Sequence, residues 1–410
     1  MHDIHVSVGA GFENDRRDLG GMAAKALAMF DGPRYLIFEC LAERTLAKQV
    51  QANDLSAQIA LATSYVLPCW DLCRRHGIRI ISNFGGIDPK AVARGLNDAL
   101  DGKACVAAVS GDAIPIGPDE DVSTISKNVY LGASGIAEAL SKGAEIVVTG
   151  RVADPSLVVG AVIHEHQLAD DNWNALANAT LAGHLIECGT QVTGGYFADL
   201  DKPVPDFASL GPPVATIAQD KVTLSKPVGG GVLNRATVTE QLLYEIGDPA
   251  KYLTPDVCLD LTDVQLQDLG ADRVLVTGAR GHPAPASLKM LACRKSGWLA
   301  EGEISYLGAT AEDRVRLAED ILKHRLHGTD MRIDLFAGTT NGAPCARLRL
   351  AARTPDREEA ERAINEIEAL YLNGPAGGGG VRKSLASQIT TEASFVPRSD
   401  LPPPQVEIIG

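Results

Sequence analysis

Three side chains of different chemistry sit close together in G-H-L-I-E-C-G, residues 183–189: His184, Glu187 and Cys188. Spacings of three and four residues place them on one face of a helix. An imidazole beside a carboxylate can pass a proton, and a thiol next to them can act as a nucleophile or a support. The same residues also suit a buried histidine bonded to its own glutamate, and the sequence leaves both readings open. The T-Q-V-T-G-G-Y that follows, with Gly194 and Gly195, supplies hydroxyls, amides and flexible backbone of the kind an active-site loop uses. One such helix offers too few ligands for a metal. The consecutive H-E-H at 164–166 points its side chains apart on a helix, so no metal site is expected.

A second cluster, T-G-R-V-A-D-P at 149–155, puts Thr149, Arg151 and Asp154 directly after a short apolar run. Arg151 there could hold a substrate carboxylate or phosphate through two parallel bonds. The competing arrangement is an Arg151–Asp154 ion pair that fixes the loop. N-F-G-G-I-D-P at 83–89 sets Asn83, Gly85 and Gly86 at the end of another apolar run, where Asp88 and Pro89 suit the start of the next helix. Asp112 in S-G-D and Asn128 in K-N-V occupy comparable positions. The expected catalytic set is therefore His184, Glu187, Cys188 and Asp154. Arg151, Asn83, Asp112, Asn128, Thr149, Gly85, Gly86, Gly194 and Gly195 are expected to bind substrate.

These clusters need a scaffold that gathers them. Apolar runs at 4–12, 35–41, 78–86, 104–112 and 145–150 alternate with helical patterns at about 55–75, 89–100 and 129–142. That alternation predicts βα units and a Rossmann-like, largely parallel sheet with flanking helices, whose strand ends meet a ligand. The Pro/Gly-rich stretch 201–213 is read as a boundary, giving an α/β domain over 1–213 and a smaller α+β domain over 214–410. In the second part, a helix from 237 to about 246 and strands at 273–280, 331–336 and 346–353 are expected, with helices at about 311–326 and 356–372. The tail beyond the glycines at 377–380 reads as loop.

Partial signals for a cofactor are weak. G-A-G-F at 9–12 follows a strand but stops short of G-x-G-x-x-G, and the glycine runs at 229–231 and 377–380 lack the G-K-[ST] of a phosphate loop. They suit either a phosphate-bearing group beside Lys226, Arg235 or Arg382, or a hinge. R-G-H-P-A-P-A-S-L-K at 280–289 is a further cationic loop that could meet an anion. With neither a full dinucleotide fingerprint nor a metal set, the expectation is acid/base chemistry without a cofactor.

A net charge of −14 and only 5% aromatic residues argue against a nucleic-acid surface. No apolar run is long enough to span a bilayer, and the acidic first residues do not read as a signal peptide. Eight cysteines without a Cys-x-x-Cys pair fit a reducing, cytoplasmic setting. A homo-oligomer is expected, as for soluble α/β enzymes in general.

N-F-G-G-I-D-P, N-V-Y-L-G-A-S-G-I-A-E-A-L, V-V-T-G-R-V-A-D-P-S-L, A-G-H-L-I-E-C-G-T-Q-V-T-G-G, T-V-T-E-Q-L-L-Y-E-I-G-D-P-A-K-Y-L-T-P-D-V and G-A-R-G-H-P occur in this order. Together they resemble the AtuA family, named for acyclic terpene utilization, over the chain up to about residue 300. The resemblance implies a place in the breakdown of branched terpenoid acids as coenzyme A thioesters, and it carries over no catalytic residues. The leading expectation is a hydratase, lyase or isomerase acting on a branched or multiply carboxylated acid, free or as an acyl-CoA. A non-catalytic acyl-binding or scaffold subunit of a carboxylase-like assembly is the first alternative. A nucleotide-dependent acid-activating enzyme is the second.

Overall fold

In the computed structural model, residues 2–199 and 204–410 are described. The central sheet is built on five short strands: β1 (Ile4–Ala10), β2 (Arg34–Phe38), β3 (Ile78–Ser82), β4 (Val106–Ser110) and, after β5 (Thr124–Val129), β6 (Ile146–Thr149). They lie in the order β1-β2-β3-β6-β4 and all run parallel. Both faces are covered, so these strands read as nearly unbroken apolar runs instead of alternating ones. Successive residues feed opposite cores: Tyr35 and Ile37 pack on one side, Leu36 and Phe38 on the other.

One face is covered by α1 (Leu19–Leu27), α3 (Leu55–Arg75) and α4 (Pro89–Ala99), with α2 (Glu43–Ala52) following β2. The other is covered by α5 (Ser134–Ser141), α6 (Ser156–His166) and α7 (Trp173–Ile186). Local signals explain several helix starts. Asp54 and Asp88 accept from the amides of Ala57 and Ala91, each at 3.0 Å, and Pro89 opens α4. The helix expected from Val129 begins only at Ser134, because the polar run before it is β5.

Beyond residue 204 the sheet continues antiparallel. β7 (Val214–Ile217) pairs with β1, then come β8 (Lys221–Ser225), α8 (Arg235–Leu243), β11 (Gln265–Asp268) and β12 (Arg273–Thr277). Three short strands, β9 (Tyr252–Leu253), β10 (Cys258–Asp260) and β13 (Arg280–His282), form a separate sheet. By contacts the chain divides into Met1–Pro118, Ser126–Ala292 and Ala393–Gly410 as one unit, and Asp119–Ile125 with Cys293–Glu392 as the other. The boundary expected at residue 213 thus falls inside the first unit, since β7 and β8 extend its sheet.

The second unit carries a mostly antiparallel sheet in the order β15 (Asp330–Thr340), β16 (Ala343–Thr354), β14 (Ser287–Leu307), β17 (Gly379–Pro397). Its core is closed by α9 (Ala311–Arg325) and α10 (Arg357–Asn373). The tail expected as loop is instead strand: β17, then β18 (Gln405–Ile409), which pairs antiparallel with β4. Its Ser/Thr-rich pattern hid this, because pairing with neighbours, and not burial of its own side chains, holds β17 in place. The architecture is mixed α/β with large sheets, one of them containing parallel strands, and among the described residues no sheet closes into a barrel. Among the described residues no helix is long and apolar enough to cross a membrane.

Candidate active site

Parallel strands deliver their C-terminal ends to one edge of the sheet. There Gly11 after β1, Glu39 after β2 and Arg151 after β6 line a cavity of about 680 Å³. Glu187 and Cys188 after α7, Glu43 and Arg44 at the start of α2, Tyr130, Asp154, Tyr244, Glu245, Tyr252 and Lys289 also line it. Gly11 is required by a close approach: a Cβ there would stand 2.5 Å from the carbonyl carbon of Cys188.

Glu39 is 5% exposed. Its Oε1 accepts from Asn83 Nδ2 at 2.8 Å and from the Leu41 amide at 3.0 Å. Burial, reinforced by the negative charge of Asp154, pushes this carboxyl up to about 8, against the pull of Arg151 and the two donors.

Arg151 is 1% exposed, and protein acceptors hold it. Its Nε donates to Val152 O at 2.8 Å, and its terminal nitrogens reach Leu41 O, Val152 O and the Asp154 carboxylate. The Tyr130 ring centroid lies 4.5 Å from the guanidinium carbon. Burial opposes its charge, yet Asp154, Tyr130 and Glu39 more than offset that and raise its affinity for the proton. The structure therefore realises the loop-fixing ion pair.

His184 Nδ1 lies 3.0 Å from Glu187 Oε1, and its Nε2 lies 3.2 Å from Leu242 O. With both ring nitrogens facing oxygens, the ring favours the protonated state. Its basicity is raised although burial works the other way, because the Glu187 bond and charge prevail. Burial pushes Glu187 up to about 7, held back by His184 and helped by Asp154. Glu187 Oε2 has no hydrogen-bond partner among the described residues and belongs to a cavity-lining residue. Burial and the neighbouring Glu187 charge push the Cys188 thiol up, so at neutral pH it stands as a thiol, not a thiolate.

The remaining expected residues lie behind this wall. Asn83 bridges Glu39 and the Cys40 amide, the latter at 2.6 Å. Asp112, raised by burial despite its donors, accepts from Asn128 Nδ2 at 2.8 Å and the Arg151 amide at 3.0 Å, and so supports the loop that carries Arg151. Thr149 turns its hydroxyl to Gly150 O at 3.0 Å. Gly85 packs against Thr149 O, Gly86 against Gln49, Gly194 against Val204 and Gly195 against Thr190. None of these lines the cavity. The glycine runs at 229–231 and 377–380 do not line it either. In the first, Gly229 lies against Gly211, and in the second, Gly378 lies against Ile304 and Tyr306.

Sequence reasoning missed Glu39 and the Glu43–Tyr130–Lys289 group. Glu43 Oε1 accepts from Tyr130 Oη and from Lys289 Nζ, each at 2.7 Å. Burial opposes the ionisation of Glu43, but these two donors and the Lys289 charge hold it below the ordinary carboxylate range. The available signal was a lone acidic residue ending the apolar run Y-L-I-F-E-C-L. Lys289 sits in the cationic loop already singled out. Among the described residues no group of three or more His, Cys, Asp or Glu side chains is placed to hold a metal ion.

The sequence profile of the acyclic terpene utilisation family protein AtuA matches residues 4–407. The chain belongs to this family. The match runs well past residue 300, where the resemblance had been read to end, and so takes in the strands and helices of the second unit. No curated protein matches the chain. Membership ties the protein to acyclic terpene utilisation, and the chemistry must be read from the cavity.

Proposed function

We propose that the cavity is the active site of an enzyme that moves a proton next to a carbonyl of a branched or multiply carboxylated acid, free or as a coenzyme A thioester. The reaction class is that of hydratases, lyases and isomerases. The observation that carries this reading is Glu187: a largely buried carboxylate whose Oε2 has no partner among the described residues, whose Oε1 is fixed by His184, and whose proton affinity lies near neutrality. Such a group is suited to take up and release a proton at physiological pH. Arg44, which has no carboxylate partner among the described residues, offers positive charge to an anionic substrate, beside Lys289, whose charge is already matched by Glu43. Arg151 serves by stiffening the loop that presents Asp154. Cys188 supports the wall as a neutral thiol.

The test is solvent exchange. Wild-type protein is incubated in deuterated water with a panel of mono-, di- and tricarboxylic acids and their thioesters, and α-deuterium uptake is followed by NMR. A substrate of the right class exchanges, and Glu187→Gln slows the exchange by about 100-fold or more while keeping the wild-type circular dichroism. Unchanged exchange in that variant would remove Glu187 from the mechanism.

A further inference from the structure

We infer that Glu39 is a second catalytic residue: the acid that protonates the departing hydroxyl of a β-hydroxy acid after Glu187 has removed the α-proton. This rests on the proton-transfer reading above and narrows it to elimination and addition of water.

The argument begins with the bonding of Glu39. Asn83 Oδ1 accepts from the Cys40 amide, which fixes the orientation of its amide group and leaves Nδ2 to donate. That donor and the Leu41 amide both end on Glu39 Oε1. Oε2 accepts no hydrogen bond from the described residues. Two donors on one oxygen and none on the other match a neutral carboxyl, whose carbonyl oxygen accepts and whose O–H is left to donate. The second line is placement. Glu39 follows a strand and Glu187 follows a helix, yet both line one cavity. Asp154 and Cys188, which line it too, lie close enough to feel the charge of each. An isomerase can carry one proton out and back with a single base. Two carboxyls fixed on separate elements suit a reaction in which two sites on the substrate exchange protons within one turnover.

In the elimination direction, Glu187 first takes the α-proton and leaves the C–H electron pair as an enolate, which then becomes the second bond between the α and β carbons. The β carbon–oxygen bond breaks with its pair on oxygen, which receives the Glu39 proton and leaves as water. Glu39 ends as carboxylate and Glu187 as acid, and exchange with solvent restores both. Addition of water to the unsaturated acid is the reverse. Neither direction needs an oxidant or a reductant.

The experiment has two arms. In the first, difference infrared spectra between wild type and Glu39→Gln are recorded across pH. A protonated carboxyl absent from the variant, titrating near pH 8, is expected. A carboxylate already ionised at neutral pH would overturn the inference. In the second, the panel is 3-hydroxy and 2-enoic acids, straight and branched, mono- and dicarboxylic, free and as thioesters, in heavy-oxygen water. Wild type is expected to exchange both the α-hydrogen and the β-oxygen. Glu39→Gln is expected to lower oxygen exchange by about 100-fold or more and α-deuterium exchange by much less. Equal effects on the two exchanges, or none on either, would refute the donor role alone. No α-exchange by wild type with any compound would sink the proton-transfer reading, and this inference with it.

Discussion

The two units handle charge in opposite ways. In the second, arginines and carboxylates pair at the surface: Arg347 with Glu303 across the sheet at 3.5 Å and Arg325 on α9 with Glu366 on α10 at 3.1 Å, all partly in water. In the first, Arg151 and Glu39 are taken out of water at the sheet edge and Glu187 largely so, and of the three Arg151 is the one fully matched by partners. Burying a charge is expensive, and a carboxyl answers by shifting its proton affinity. Carboxyls held neutral or half-neutral at a cavity wall mark where solubility alone does not explain the charge. The second unit shows what the same residue types look like when it does.

The strongest way to break this contrast is to remove the matched cation. Arg151→Met strips the donors from Leu41 O and Val152 O and leaves Asp154 without its cation. A loss of about 3–5 kcal/mol in urea unfolding is expected, as for breaking a buried pair. A loss below about 1 kcal/mol would place Arg151 with the surface pairs.

A second test uses pH. Glu39 and Glu187 have folded values raised to about 8 and about 7 from 4.5. The stability these neutral carboxyls contribute is complete below the unfolded value and is lost as pH rises through the folded ones. Wild type should therefore lose stability between pH 4.5 and 8 from these two groups. Glu39→Gln, which cannot ionise, should overtake wild type at alkaline pH by an amount on the order of a few kcal/mol. The advantage should vanish near the unfolded value. Melting temperatures of both proteins across that range check it, and parallel curves would mean that Glu39 ionises as freely folded as unfolded.

The smallest effect belongs to the second unit. Arg347→Ala should change unfolding free energy by less than about 1 kcal/mol, and added salt should shrink the difference further. A larger loss would show that the sheet surface depends on its ion pairs after all.

Much of the first unit was legible because its physics is local. The apolar runs ending at Phe38, Ser82, Ser110 and Thr149 are strands, and Asp88 with Pro89 opens a helix as expected. The His184–Glu187 contact followed from helical spacing. What remained hidden depends on distant partners. Asn83 looked like a ligand group, but it is turned towards Glu39 by an amide from another strand end. Glu39 itself seemed one acidic residue in a buried strand, and its importance comes from what the fold withholds from it. Asp112 and Asn128 read as site residues because polar groups at strand ends are ambiguous between touching a ligand and bracing the loop that does. β17 and β18 escaped notice because pairing, which sequence periodicity does not report, defines them.

The last strand also sets a timetable. β18 lies beside β4, and Arg94 on α4 pairs with Glu407 across 313 positions of chain. While the ribosome makes everything between, the β4 edge has no strand to cover it, and an open edge is an invitation to foreign strands. Contacts so far apart in sequence form slowly, since a long loop must close before they return any stability. The expected bottleneck in making this protein is thus the final capture of five residues, Gln405–Ile409, and not the assembly of the parallel strands that wait for them.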